Sequence, residues 1–151
     1  MRDVILLLLG ALATGVLRIL FDFVERKRHR RAAARIIFGD IAVTEGAFKL
    51  IWERKQWPDL LDFGPTLEAW REHRADFAIG TTAVEWAKVG AFYSNLERTA
   101  RMIRPGEPCT EGDLNVAKMM VEYAESAFAI AVKHVARTEK ERKEVVDQLG
   151  W

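Results

Sequence analysis

Cysteine is all but absent: Cys109 stands alone in 151 residues. One thiol excludes an internal disulfide and any cysteine-rich zinc site, and it fits a reducing compartment. No conventional catalytic signature surrounds it, and its place after Pro108 reads as an exposed turn. Histidine is scarce too. His29, His73 and His134 have no partner at HExxH or ExxH spacing, which argues against a zinc or di-iron helix pair. The patterns GxGxxG, GxxxxGK[ST] and GxSxG do not occur. No catalytic residue, cofactor or metal is therefore expected, and a non-enzymatic role is favoured. Proline is rare, and none precedes Pro58, so nothing in the first third of the chain forces a helix to stop. No stretch alternates with period two over a strand length. The fold class is expected to be all-α.

What is present begins at the start. Val4 to Phe23 reads VILLLLGALATGVLRILFDF, and Glu25 to Arg31 reads ERKRHRR directly behind it. A bilayer core of about 30 Å takes roughly 20 helical residues. Thirteen of the positions from Val4 to Phe23 are Leu, Ile, Val or Phe. At roughly 0.3–0.6 kcal/mol each near the helix centre, their insertion outweighs one off-centre Arg. Arg18 lies toward the basic end, and Asp22, four residues on, shares its face. The expected division is residues 1–23 as a transmembrane anchor and 24–151 as a cytoplasmic helical domain. A cleaved signal peptide is the weaker reading. Ala11-Leu12-Ala13 has the form of a cleavage site, but the apolar run ahead of it is short and a dense positive block follows.

Charge sets the orientation. Residues 1–35 hold eight basic and three acidic groups, a net of +5, and the remainder hold fifteen and nineteen, a net of −4. Lys and Arg stay on the cytoplasmic side of a span. The N-terminus is therefore expected outside, the domain inside, at a bacterial cytoplasmic membrane. Arg26, Lys27, Arg28, Arg30 and Arg31 form a membrane-surface collar suited to anionic lipid headgroups. The equal alternative is that the block only sets the topology of the span. Positive charge is not spread over the domain, so nucleic acid is not an expected partner.

The helical pattern continues past the collar. Ala34, Ile37, Ile41, Thr44, Phe48 and Ile51 alternate in threes and fours, so one helix is expected from the membrane to about Lys55. Gly39 and Gly46 lie off that stripe, seven apart. Each costs about 1 kcal/mol relative to Ala, so they mark a helix-packing or homodimer contact, or else a kink. Residues 56–64 read as a loop. A helix is expected from Thr66 to about Ile79, with Leu67, Trp70, Phe77 and Ala78 inward and Gly80 ending it. Thr82 with Glu85 is a capping box for a helix from Ala83 to about Arg104, with Val89, Phe92, Leu96, Ala100 and Ile103 as its stripe. Thr110 with Asp113 is another N-cap signal. It opens a helix whose stripe is Leu114, Ala117, Val121, Ala124, Phe128, Ala131 and Val135. Thr138 with Glu141 offers a further break before Leu149 and Gly150, and residues 137–144 read as a solvated charged face. Glu122 and Glu125 read as a solvated edge. Trp52, Trp57, Trp70, Trp86 and Trp151 read as core and membrane-facing packing.

Arg35-Ile36-Ile37 on a post-membrane helix, then Trp57-Pro58, then residues 65–74 (PTLEAWREHR), then Trp86 and Phe92-Tyr93, resemble a loose set of uncharacterised small single-span bacterial membrane proteins. The resemblance covers roughly residues 24–100 and implies an anchor with a helical cytoplasmic domain, and no active site. The leading expectation is a membrane-anchored interaction module of about four helices with a protein partner still to be identified. The alternative is a holin- or toxin-like protein that oligomerises through its span, at Gly10, Ala11, Thr14 and Gly15. An enzyme with a diffuse site is a third reading.

Overall fold

The computed structural model describes the backbone of residues 2–136 and of residue 143, with side chains from Thr14 onward. Four named helices lie among the described residues: α1 (Arg2–Arg54), α2 (Gly64–Ala78), α3 (Ala83–Ala100) and α4 (Glu111–Val135). No strand occurs among the described residues. The short connections make neighbours antiparallel, and the ends agree. Arg30 reaches the α2–α3 turn and Glu85 reaches Lys133, while residues 55–57 pair with residues 106–109 at the other end. Helix α1 packs on α4 and α2, and α3 packs on the same two. The result is a four-helix up-and-down bundle with α1 and α3 on its diagonal.

Helix α1 runs unbroken for 53 residues, about 80 Å. Its core stripe is the one that the periodicity dictates: Ala34, Ile37, Ile41, Thr44, Phe48 and Ile51 are all fully buried. The helix is not broken at Gly39 or Gly46. Helix α1 ends when Lys55 turns left-handed, at φ 53°, while its N–H still donates to the Ile51 carbonyl at 2.9 Å. Gln56 and Trp57 then pair with the α3–α4 connection. Trp57 exchanges backbone bonds with Gly106 and Glu107, and Cys109 donates to the Lys55 carbonyl. Trp57, expected in a loop, closes this end of the core with 1% of its surface exposed. Cys109 is half-covered by the same pairing rather than exposed.

Helix α2 starts two residues earlier than the sequence suggests. The Asp62 carboxylate accepts the Gly64 N–H at 2.7 Å, and Pro65 occupies the first turn. Gly80, at φ 100°, turns the chain toward α3. Both N-terminal boxes form. Thr82 and Glu85 exchange side-chain and backbone bonds, and so do Thr110 and Asp113. Helix α3 stops at Ala100, short of Arg104. Its last amides tighten onto carbonyls three residues back, because Pro105 bars a helical residue before it. Aromatic pairs knit the layers: Trp70 on Tyr93 and on Trp86, Phe38 on Phe128, Phe48 on Phe63. Trp52 remains exposed. The expected box at Thr138 and Glu141, the charged face at 137–144, Gly150 and Trp151 lie outside the described residues.

The transmembrane part of the expected architecture is not supported here. Among the described residues, no helix is long and apolar enough to cross a membrane. From Thr14 onward the apolar run is interrupted by Arg18 and Asp22 and then by Glu25, Arg26, Lys27 and Arg28, too many charges for a bilayer core.

Candidate functional site

The bundle core begins at Ala33, so more than half of α1 projects beyond it. Every residue from Thr14 to His29 is exposed. Val16, Leu17, Ile19, Leu20, Phe21, Phe23 and Val24 each keep 48–73% of their surface in contact with solvent. At 100° per residue they cover more than half of the helix circumference. A surface helix of a globular domain does not carry so wide an apolar arc without a partner phase.

The collar lies where this projecting half meets the bundle. Arg26, Lys27 and Arg28 are exposed, while Arg30 and Arg31 are half-buried. Arg30 is turned back onto the domain. Its Nη1 donates to the Ile79 carbonyl at 3.4 Å, and its guanidinium covers Gly80, where a Cβ would collide with it. Ile79 and Val84 remain exposed on the same end. The five residues therefore divide. Three reach freely outward, and Arg30 at least serves the fold as well.

Beneath the collar lies a charge cluster that no local spacing revealed. Glu85 caps α3 and also accepts from Lys133 at the end of α4, with His134 Nε2 3.7 Å from its other oxygen. The Lys133 bond, followed by the Thr82 backbone N–H, holds the Glu85 carboxyl down at about 2. Burial keeps His134 below the ordinary imidazole range, against the pull of Glu85. Phe77 meets the His134 ring edge-on. The only signal in the sequence was the capping box itself.

A second polar group lies inside the bundle. Burial raises the Asp40 carboxyl to about 6, with His73 opposing. Asp40 Oδ2 and the Tyr93 hydroxyl are both buried without a hydrogen-bond partner among the described residues. Burial, and then the Asp40 charge, push Tyr93 upward. Glu45 is 1% exposed, and Lys49 sits 2.6 Å from its Oε1. Burial raises this carboxyl, and the Lys49 bond offsets part of the rise. These groups are spaced along the α1 core face and do not converge with a nucleophile. Glu122 and Glu125 are exposed. Among the described residues, no group of His, Cys, Asp and Glu is placed to hold a metal ion.

Gly39 is half-covered and Gly46 exposed. A Cβ at either would meet nothing within 4 Å among the described residues, so no other described element packs against them. An open groove of about 770 Å³ lies between α3 and α4, lined by Val84, Ala87, Ala91, Met119 and Tyr123, with Lys88 and Glu122 at its rim. No family model matches the chain, and no curated protein or solved structure matches it. The resemblance to single-span bacterial proteins thus rests on its own residues.

Proposed function

We propose that this chain is a non-enzymatic, membrane-anchored interaction module. Val4 to Phe23 crosses the bilayer, the collar meets anionic headgroups, and the bundle is held just beneath the inner leaflet of a bacterial cytoplasmic membrane. One observation carries the reading: the exposed apolar stretch of α1 from Val16 to Val24, with seven large side chains outside the bundle. Lipid is the phase that suits a helix apolar over so much of its circumference. The bundle adds a candidate partner surface in the α3–α4 groove, where Val84 is 67% exposed.

Co-expression of the intact chain and residues 24–151 tests this. The module reading expects growth to be normal with both, and a specific protein to be retained by the 24–151 piece and lost on Val84→Asp. Growth arrest that requires the span, with nothing retained by the bundle, would instead favour the holin- or toxin-like reading.

A further inference from the structure

Helix α1 carries two stripes. One is the buried core stripe. The other lies about 150° around the helix and alternates in fours and threes without a break from residue 18 to residue 50. Its lower part is Ala32, Ile36, Gly39, Val43, Gly46 and Leu50. Ile36, Val43 and Leu50 are 38%, 73% and 45% exposed, and the space beside both glycines is open. Its upper part is Arg18, Asp22, Glu25 and His29, all exposed. The ionisable residues of the anchor and of the segment just behind it, and the bare apolar residues of the domain, therefore share one seam.

We infer that this seam joins α1 to α1 of a second copy in a parallel dimer. The inference rests on the anchor reading for its upper half. Ionisable groups inside a bilayer face a protein partner and not lipid. Within the span they are self-complementary: in a parallel pair, Arg18 stands beside Asp22 of the other copy; just past the span, Glu25 stands beside His29 of the other copy. Within one helix, Glu25 and His29 are already 3.9 Å apart. Anchors that enter the membrane from the same side make the pair parallel. The four-three spacing continues for more than four heptads, charged in its upper part and apolar from Ala32 to Leu50. Its seven-residue period fits a left-handed supercoil. Gly39 and Gly46 let the two backbones approach closely, which gives the open space beside them a purpose.

The test is thiol cross-linking of the full chain in its own membranes, in a Cys109→Ser background. Val43→Cys and Ile36→Cys should give a covalent dimer, and Glu68→Cys, exposed on α2, should not. Arg18→Asp alone or Asp22→Arg alone should reduce the Val43→Cys dimer by roughly tenfold. The two together should restore it. No dimer at Val43→Cys, an equal yield at Glu68→Cys, or indifference to both charge changes would overturn the inference. Alkaline extraction of the same membranes separates the two readings. A chain that stays with the membrane but does not cross-link refutes the seam alone. A chain that cross-links but washes off keeps the seam's lower half and refutes the anchor.

Discussion

Lys55 is the residue at which local strain is most plainly visible. It is the one non-glycine at positive φ among the described residues, and it holds that conformation so that the chain can leave α1 and pair with residues 106–109. A left-handed residue with a Cβ costs roughly 1–2 kcal/mol, which glycine avoids, although glycine also loses more chain entropy. Lys55→Gly should therefore raise stability by about 0.5–1 kcal/mol in urea denaturation, and a loss would show that the Lys side chain holds the turn. Asp40 behaves in the opposite sense. Its folded pKa, about 6, lies above its ordinary 3.8. Its favourable contribution is thus complete below 3.8 and is lost as pH rises through 6. Asp40→Asn should add about 1–2 kcal/mol at pH 8, after allowance for partial solvent contact, and almost nothing at pH 3.5. An equal gain at both pH values would show that charge is not the cause. Neither residue was legible beforehand. Asp40 flanks the stripe by one position, and so does Glu45. Periodicity names the centre of a buried face, whereas its margins are set by how closely the neighbouring helices press. Tyr93 was missed in the same way, beside Phe92.

At the scale of the elements, most of the fold could be read in advance because capping and breaking are local events. The two boxes place the starts of α3 and α4 at the residues that the sequence marks. Trp57 could not be read, since a loop residue becomes core only through pairing with a loop fifty positions away. The same limit hid the second job of Glu85, which joins α3 to α4 through Lys133. Its carboxyl is held at about 2, below the ordinary 4.5. The bond's contribution is therefore full above 4.5 and disappears as pH falls through 2. Glu85→Gln, which keeps a capping-box acceptor, should destabilise the bundle by about 1 kcal/mol at neutral pH by losing a partly covered ion pair. The gap between wild type and variant should close as the solution is acidified through that window. Thr110→Ala should cost about 1 kcal/mol with no such acid dependence of its own hydroxyl. Asp113 complicates that helix start. Burial would raise its carboxyl, but the Thr110 bonds and Arg104 hold it low. A pH-independent loss in Glu85→Gln would show that the charge on Glu85 is not what joins α3 to α4.

The whole molecule is an imbalance: a well-packed bundle built on the C-terminal part of α1, and an exposed apolar stretch from Val16 to Val24 that no other described residue covers. The collar stands between the two, and its outward members should act on lipid. The 24–151 piece should bind anionic vesicles through Arg26, Lys27 and Arg28, weakening as salt shortens the electrostatic reach to about 8 Å. Arg30→Ala should reduce that binding less than Arg28→Ala does, since Arg30 is held on the α2–α3 turn. Binding that ignores salt would shift the attachment to apolar surface such as Ile79 and Val84. The membrane reading itself depends on the apolar run from Val4 onward, and it is tested by one measurement. Membranes from cells that express the full chain are washed at alkaline pH, which strips proteins held only at the surface. The chain should stay in the pellet, and residues 24–151 should be released. Release of the full chain would contradict the anchor, and with it the placement of the bundle at the membrane.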